Sequence, residues 1–416
     1  MDRLEKTLGR FLHTPGTGQF SLPEFHRELE TVFRESGFRS RTEEAILSIL
    51  VLRLDAMGDN ILTTPVLREL RRNHFPAHIT LVTSPAAYPL MELCPYVNEV
   101  LCFQLPKIRE EGMAAIGKIA DFCREHLWQR HYDLCICPCW GSKPTEERFL
   151  AYLSGARERW GYSDLVNNFY MPEPVAATEE RYLLNHAICN PPEMIHEAER
   201  YLYILEAMGM DIRDRHPELW LGTEEMQWAA AYVSSMKEGG HLIALCVGAK
   251  DLNRKYPLEQ WISAMEEILR LGGKFVVLGG PQEREDGEFL RQRLPEGTVR
   301  NIAGCSTMRQ SVALISLSDL YMGNVTGMMH AAAACGRPVI TIFREAVDRE
   351  GICTGVCSEY SRFSPYMTNC VILRPEHAIG RCRDLICYGG CNASKAHCIA
   401  QVRPEEIVEA YRILMG

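Results

Sequence analysis

The stretch GNVTGMMHAAAACGRPVITIF, residues 323–343, determines how the rest of this chain is interpreted. A predicted strand over Asp319–Met322 leads into a turn flanked by glycines. A helix of small residues is then expected over Met328–Cys335, followed by a strand over Val339–Phe343. The first N–H groups of a helix have no internal acceptors and lie at the positive end of its dipole. The stretch therefore fits either an anion site or an ordinary buried strand–helix turn.

Outside this stretch, strands alternate with helices in two separate parts of the chain. The apolar run Ile46–Leu54 is typical of a strand buried on both faces, and Leu242–Val247 restarts the pattern later. Such alternation predicts an α/β fold with doubly wound parallel sheets, which bind ligands beyond the carboxyl ends of their strands. The other predicted strands are Ile79–Thr83, Glu99–Phe103, Tyr132–Cys137 and Lys274–Leu278, and the predicted helices include Ile108–Arg130, Leu258–Leu271, Glu283–Arg293, Met308–Leu317 and Pro404–Leu414.

Length and charge limit the organisation and the class of partner. A chain of 416 residues exceeds the size at which one core usually stops growing. We expect a helical extension over residues 1–45, α/β domains over residues 46–225 and 226–400, and a C-terminal helix over residues 401–416. A net charge of −9 argues against nucleic acid as a partner. The sequence shows neither a secretory leader nor a membrane-spanning run, so we expect a cytoplasmic protein.

The N-terminal extension contains one amphipathic segment. Phe25, Leu29, Val32 and Phe33 form an apolar stripe at helical spacing. The stripe fits a helix that packs on its own domain better than a helix that docks a partner, although both interpretations stay open.

Cysteine is unusually frequent, with 17 residues. In a reducing compartment most of these are expected to be small buried hydrophobic side chains. The C-terminal segment differs, because Cys382, Cys387, Cys391 and Cys398 could close a tetrahedral zinc or iron site. Their spacings are not those of the usual Cys-x2-Cys pairs, so we predict no bound metal.

The first motif with chemical meaning is LRLDAMGDNILTTP, residues 52–65. It predicts a strand, a short loop with one glycine and a helix, but it lacks the three glycines of a dinucleotide fingerprint. Asp59 is a candidate general base for a hydroxyl group. Spacing alone favours Asp59 as the N-cap of the following helix, and the two roles are compatible.

Three further turns follow predicted strands. The first is a small-residue turn with cations close behind it, which suits a diphosphate or a solvated loop. The second has two glycines and then an acid that could accept hydrogen bonds from ribose hydroxyls. The third is a turn against which a base could lie. The candidate residues in these turns are Gly248, Ala249, Arg254, Lys255, Glu283, Ala303 and Gly304.

The order of these motifs, ending in the Thr326–His330 turn, closely resembles glycosyltransferase family 9 over residues 46–415. That family includes the ADP-heptose:lipopolysaccharide heptosyltransferases. The resemblance implies a GT-B fold, with two Rossmann-like domains facing a central cleft. It also implies inversion at the anomeric carbon without a metal or another cofactor.

The resemblance assigns roles to particular residues. Asp59 matches the family's proposed catalytic base, and Arg254 or Lys255 would neutralise the donor diphosphate. Glu283 matches the ribose-binding acid. The matching phosphate turn contains Thr326, Gly327, Met328 and His330.

The chain also departs from the family pattern. The family usually has an aspartate before Thr-Gly, where this chain has Val325, so donor contacts of the heptose kind are not assured. Tyr256 stands where a tryptophan is common, and Arg344 stands where the family often has glycine.

The expected reaction is transfer of heptose from ADP-heptose to a hydroxyl of a lipopolysaccharide core or another surface glycan. Two alternatives stay open: the same fold with a different donor or a protein acceptor, and a non-catalytic nucleotide-sugar-binding protein. The expected partners are a nucleotide-diphospho-sugar and a glycan or glycolipid, with peripheral contact at the inner face of the inner membrane.

Overall fold

The computed structural model describes residues 22–35, 46–139, 144–163, 183–188, 196–234, 236, 240–350, 358–384, 391 and 393–416. The chain divides into two compact units. The first comprises Met1–Ala56, Pro65–Pro192 and Glu199–Arg215. The second comprises Met57–Thr64, Glu193–Ala198 and His216–Gly416.

The first unit is built on a six-stranded parallel sheet with the order β3-β2-β1-β4-β5-β6. The order runs in one direction from β1 to β3 and in the other from β4 to β6, so it reverses between β1 and β4. That reversal is the position at which ligands of doubly wound folds usually bind. The strands are β1 (Ser48–Arg53), β2 (His78–Thr83), β3 (Glu99–Cys102), β4 (Leu134–Cys137), β5 (Glu158–Tyr162) and β6 (His186–Ile188).

The second unit contains another six-stranded parallel sheet, with the order β12-β11-β10-β7-β8-β9. Here the order reverses between β7 and β10. The strands are β7 (His241–Cys246), β8 (Gly273–Val277), β9 (Val299–Asn301), β10 (Leu320–Asn324), β11 (Val339–Ile342) and β12 (Cys370–Leu373). The predicted doubly wound α/β class is therefore confirmed, and β5, β6, β9 and β12 are additions to the predicted strands.

Helices connect the strands in both units. They are α1 (Leu22–Glu35), α2 (Met57–Asn73), α3 (Tyr88–Met91), α4 (Ile108–Glu111), α5 (Met113–Phe122), α6 (Pro144–Leu153), α7 (Glu197–Ala207), α8 (Thr223–Ser234), α9 (Leu258–Arg270), α10 (Arg284–Arg293), α11 (Met308–Leu317), α12 (Gly327–Ala334), α13 (Glu359–Phe363) and α14 (Pro404–Met415).

One predicted helix is wrong as a continuous element. The segment expected to be helical over Ile108–Arg130 is divided after α4 at Gly112, whose φ is +58°. A residue at positive φ cannot continue a right-handed helix, and glycine adopts this conformation without a steric penalty. After α5 the backbone continues as a π-helical turn and a short 3₁₀ turn.

Helix α1 packs on the core of the first unit. Its apolar side chains Leu29, Val32 and Phe33 are buried in the same cluster as Tyr152. Phe33 makes an edge-to-face contact with that tyrosine, and His26 Nδ1 lies 2.9 Å from its hydroxyl. Leu29, Val32 and Phe33 of the predicted stripe are therefore covered by the helix's own unit, and the side chain of Phe25 lies outside the described residues.

The second unit has two main apolar clusters, on either side of its sheet. Helices α9 and α14 pack together in one of them, through Trp261, Ile268, Ile407 and Tyr411. None of the helices that the structure describes has both the length and the apolar character needed to cross a lipid bilayer.

Candidate functional site

The candidate nucleotide-sugar site lies where the strand order of the second sheet reverses, between β7 and β10. Strands β7 and β10 are direct neighbours, with Cys246 paired to Gly323, so the turns that follow them lie side by side. The completely buried Asn324 joins the two turns. Its Nδ2 donates to the carbonyls of Val247 at 2.8 Å and Gly248 at 3.2 Å, and its Oδ1 accepts from the Tyr256 amide at 3.2 Å. This side chain fixes the turn that contains Gly248 and Ala249.

Glu283 lies against the same turn. A Cβ atom added to Gly248 would lie only 2.8 Å from Glu283 Oε1, so this close approach depends on glycine. The other carboxylate oxygen, Oε2, accepts a hydrogen bond from the Gly280 amide at 2.8 Å. Glu283 is therefore held in place at the carboxyl ends of β7 and β8, where the sequence places the ribose-binding acid.

The Ala303–Gly304 loop follows β9 and packs on the neighbouring turn. The Gly304 amide donates to the carbonyl of Gly279 at 3.0 Å. Gly304 has a φ of +70°, and a Cβ there would lie 2.9 Å from Pro281 Cα. The structure thus brings Ala303 and Gly304 beside the glycine turn that contains Glu283.

Thr326 is the N-cap of α12, and its backbone is extended with φ −144°. Its hydroxyl makes no side-chain capping bond to the helix. It lies instead 3.3 Å from the phenol oxygen of the buried Tyr321. The first amides of α12 belong to Gly327 and Met328, and both residues are partly exposed. This arrangement presents backbone donors and a hydroxyl at the positive end of a helix, which suits a phosphate group.

The start of α2 contacts the start of α12 directly. A Cβ on Gly58 would lie 2.9 Å from His330 Cδ2, and Gly327 Cα lies within 3.5 Å of that position. A Cβ on Gly327 would in turn lie 3.2 Å from the Gly58 amide nitrogen and would meet the flexible end of Met57. The two helix starts therefore approach each other closely through a glycine on each side, with less free space at Gly58, which faces the buried His330. Two motifs that are far apart in sequence form one feature.

His330 is buried in this contact. Burial lowers the pKa of His330 to about 3, and the charge of His196 acts in the same direction. The imidazole is therefore neutral at physiological pH, so it can contribute a hydrogen bond but no positive charge. The buried Nδ1 atom has no hydrogen-bond partner among the described residues.

Asp59 occupies the third residue of α2 and is not its N-cap. The N-cap is Ala56, which makes no side-chain capping bond. The N-cap interpretation of Asp59 is therefore wrong, because the helix begins earlier than the position of the carboxylate suggested. A carboxylate in the first turn still interacts favourably with the helix dipole. The side chain is partly exposed, as a proton acceptor for a substrate must be.

The two candidate cations are already paired with carboxylates. Arg254 Nη2 lies 2.5 Å from Glu359 Oε1, and Lys255 forms an ion pair with Asp286. Lys255 also lines a surface pocket whose other walls include Ser394 and Ala396. Any electrostatic contribution of these cations to a diphosphate would therefore be shared with their acidic partners.

A buried network that no sequence motif indicated lies behind Arg254. Glu359 also binds Arg344, whose Nη1 donates to Asn253 Oδ1 at 2.7 Å. Arg344 is only 5% exposed, so a full charge is compensated here inside the protein. The sequence showed that Arg344 stands where the family often has glycine. It did not show that the acidic partner of Arg344 is Glu359 of α13, fifteen residues further along the chain.

Val325 follows the buried Asn324 and packs against the apolar cluster on the α8 side of the sheet. The position therefore offers a donor sugar no carboxylate. The family-like aspartate contact is absent from the described turn, as the sequence indicated.

Comparisons with known proteins point to one family of glycosyltransferases. The model of glycosyltransferase family 9 (heptosyltransferase) matches residues 177–350. Lipopolysaccharide heptosyltransferase 2 of Escherichia coli is 22% identical over 310 residues, covering 71% of this chain and 82% of that protein. Lipooligosaccharide heptosyltransferase 2 of Haemophilus influenzae is 27% identical over 312 residues, covering 71% and 83%.

Solved structures show the fold. A family 9 glycosyltransferase from Veillonella parvula matches with a TM-score of 0.69 at 20% identity, covering 90% of this chain and 99% of its own. The ADP-heptose lipopolysaccharide heptosyltransferase II of E. coli matches with a TM-score of 0.64 at 19% identity, covering 88% and 98%. The predicted GT-B fold with two Rossmann-like domains is thereby confirmed.

Proposed function

We propose that this chain, a heptosyltransferase-like protein of glycosyltransferase family 9, transfers a sugar from a nucleotide-diphospho-sugar to a hydroxyl group of a surface glycan. The expected sugar is heptose, the expected donor is ADP-heptose and the expected acceptor is a lipopolysaccharide core. The observation that carries the proposal is the contact between Gly58 and the Gly327–His330 helix start. It brings a candidate proton acceptor and a candidate anion site into one unit of the structure.

In the proposed reaction, an acceptor hydroxyl oxygen attacks the anomeric carbon of the donor. A new C–O bond forms as the bond from that carbon to the diphosphate oxygen breaks, which inverts the anomeric configuration. Asp59 takes the hydroxyl proton, and the nucleoside diphosphate leaves as an anion. A carboxylate in the first turn of α2 suits this role, because the helix dipole favours its negative charge and its side chain is partly exposed.

Charge grows on the diphosphate as the bond to the sugar breaks. The first amides of α12 and the hydroxyl of Thr326 are donors that need no rearrangement to meet that charge. Because His330 is neutral, it would support the leaving group as a hydrogen-bond donor. Arg254 and Lys255 would add positive charge while remaining in contact with Glu359 and Asp286.

The nucleoside would lie against the turns after β7, β8 and β9. One carboxylate oxygen of Glu283 accepts a hydrogen bond from the Gly280 amide, and the side chain packs against Gly248. In this position Glu283 would accept hydrogen bonds from ribose hydroxyls. Gly248 and Gly304 let Glu283 and Pro281 approach the backbone closely, and these turns, with Ala249 and Ala303, would form the surface against which the base and ribose lie.

A donor-by-acceptor screen tests the proposal. The full chain would be incubated with ADP-, GDP- and UDP-sugars and with a deacylated lipopolysaccharide core lacking outer heptose, and products would be identified by mass spectrometry. A heptose increment on the core together with ADP release is the expected result. Transfer from another donor would favour the alternative of a different donor sugar, and a Val325→Asp variant would then test whether this position sets the specificity. Binding of ADP-heptose without transfer to any offered acceptor would favour the non-catalytic alternative.

Peripheral contact with the inner face of the inner membrane belongs to this proposal, because a lipopolysaccharide core is attached to lipid. Sedimentation with vesicles that contain the lipid-linked acceptor, compared with vesicles that lack it, measures that contact. Equal sedimentation with both kinds of vesicle would contradict recruitment by the acceptor.

A further inference from the structure

Two sulfur atoms and an imidazole converge in the segment that precedes α14. Cys382 Sγ lies 3.7 Å from His397 Nε2, and Cys391 Sγ lies 3.4 Å from the same nitrogen. One ligand-type atom from each of these three residues lies within 4.8 Å of the other two. The cysteines are nine residues apart in sequence, and the histidine follows six residues later.

These separations match the edges of a tetrahedral metal site. With metal–sulfur bonds of about 2.3 Å and metal–nitrogen bonds of about 2.05 Å, tetrahedral geometry puts sulfur and nitrogen ligands about 3.6 Å apart. The two observed sulfur–nitrogen distances, 3.7 Å and 3.4 Å, lie on either side of that value.

The other ring nitrogen of His397 faces a sulfur. Its Nδ1 lies 2.9 Å from Cys398 Sγ. Cys398 Sγ in turn accepts from the Ile379 amide at 3.5 Å. A histidine that binds a metal through one ring nitrogen usually donates the other ring N–H to a nearby acceptor, which fixes the orientation of the ring, and Cys398 Sγ is placed to be that acceptor.

The apolar core around these residues is small. Among the described residues, its buried members are the small side chains of Ala346, Ala378, Cys382 and Cys398, with Ile379 and Cys391 partly buried against them. A core this small buries little apolar area, so a bound metal would add to the restraint on this segment. Cys382, Cys391 and Cys398 are free thiols, as a metal site requires.

We propose that Cys382, Cys391 and His397 bind one divalent transition metal that anchors this loop, with Cys398 orienting the imidazole. Thiolate and imidazole ligands together suit Zn²⁺ best and Fe²⁺ next. The proposal replaces the expectation of no metal, which rested on cysteine spacing and did not include His397. Cys387, the remaining cysteine of that pattern, lies outside the described residues.

The loop is linked to the donor side of the second unit. The carbonyl oxygen of Cys391 accepts from Asn253 Nδ2 at 3.0 Å, and Asn253 Oδ1 accepts from Arg344. Arg344 and Arg254 share Glu359. The metal would thus hold the backbone position against which Asn253 and the basic segment are arranged.

Metal analysis of the full chain tests the site. Protein purified without chelators and reconstituted anaerobically with Zn²⁺ or Fe²⁺ would be desalted and measured by mass spectrometry of the elements. About one equivalent of zinc or iron is expected, as for a structural site. Replacement by Co²⁺ should produce the intense absorption of tetrahedral cobalt with thiolate charge transfer, a readout that requires no variant.

Matched variants assign the ligands. Cys382→Ser and His397→Ala should retain less than about 0.2 equivalents, whereas the exposed controls Cys102→Ser and His377→Ala should retain the full amount. Wild-type protein that stays below about 0.2 equivalents after reconstitution would overturn the proposal. Stoichiometric metal that persists in both ligand variants would do the same, because the ion would then be bound elsewhere.

Discussion

The two helix starts that meet at Gly58 and Gly327 have the same local design and opposite electrostatic character. Each follows a parallel strand and presents its first amides beside a glycine. The start of α2 contains the carboxylate of Asp59. The start of α12 contains the hydroxyl of Thr326 and the imidazole of His330, which burial keeps neutral. A shared backbone geometry therefore does not fix the chemistry, which depends on the side chains placed within the first turn.

This difference has a physical consequence for group transfer. The Asp59 carboxylate in the first turn of α2 already interacts with the positive end of that helix dipole. The start of α2 is therefore unsuited to bind a second anion. The start of α12 has no acid in its first turn, so its dipole stays available to an incoming phosphate. We infer that the two turns divide the reaction between proton removal and stabilisation of the leaving group. The predictions below test that division.

The largest effect is expected for Asp59→Asn. Removing a general base should lower kcat by about 10²- to 10⁴-fold, while the affinity for nucleoside diphosphate changes little. Steady-state kinetics and calorimetric titration with ADP would measure the two quantities. A purely structural acid would instead lower the thermal midpoint slightly, by the loss of at most about 1 kcal/mol of dipole interaction, and leave kcat intact.

Asp121→Asn provides the matched control for that experiment. Asp121 is exposed on α5 and pairs with Arg124, so its loss should leave kcat unchanged. If Asp59→Asn and Asp121→Asn retain similar activity, the base assignment fails.

A smaller effect is expected for Gly58→Ala. The added Cβ would lie 2.9 Å from the ring of His330, which is buried and has little room to move. Overpacking of this kind costs about 1–3 kcal/mol, and about 1.4 kcal/mol corresponds to a tenfold change in affinity. We therefore expect about a tenfold weaker affinity for ADP.

The double variant Gly58→Ala with His330→Ala sharpens that prediction. If the ring is what the new methyl group meets, the two changes should be non-additive, with a coupling of about 0.5–3 kcal/mol in ADP binding. Gly327→Ala should be milder than Gly58→Ala, because its nearest obstacle is the flexible end of Met57. Additive effects of the two changes would contradict the contact between the helix starts.

A still smaller effect is expected for Thr326→Val. This change removes the hydroxyl and keeps the shape, and one neutral hydrogen bond contributes about 0.5–1.5 kcal/mol. ADP affinity should fall by about twofold to tenfold, and Thr326→Ser should restore most of it. Equal affinities of the valine and serine variants would show that the hydroxyl does not contact the diphosphate.

The last prediction concerns stability and pH. The folded-state pKa of His330 is lowered to about 3, so between that value and the unfolded value of 6.5 only the unfolded chain binds the proton. Stability should therefore fall as the pH drops below 6.5, by up to about 1.4 kcal/mol per pH unit from this group. His330→Gln should show a shallower decline of the thermal midpoint between about pH 8 and pH 5.5 than wild type. His377→Gln, at an exposed histidine, should follow wild type.

The elements that could be predicted from the sequence are those set by local patterns of residues along the chain. The central strands were found because strands buried on both faces must be continuous apolar runs, as in β1 and β7. The short strands β6 and β9 were missed because a three-residue edge strand has no such pattern. The division after α4 was missed because the helical periodicity continues through Gly112.

The candidate site divides in the same way. The order of the motifs pointed to Asp59, Glu283 and the Thr326 turn as candidates, because those residues follow strands whose carboxyl ends usually bind ligands in such folds. It did not reveal that Arg254 and Lys255 are each paired, since their partners Glu359 and Asp286 come from other elements. Nor did it include His397 in the cysteine cluster, because the turn that brings it there is not a pattern of residue types.

The sequence by itself determined the two parallel sheets and the position of each motif at the end of a strand, because hydrophobic periodicity and turn residues act locally. Only the tertiary structure decided which of those ends touch. Three contacts join residues that are separated along the chain. They are the contact of Gly58 with His330, the hydrogen bonds of Asn324 to the turn after β7, and the cluster of Cys382, Cys391 and His397. Such contacts depend on the packing of whole elements, and no local preference of the chain specifies them.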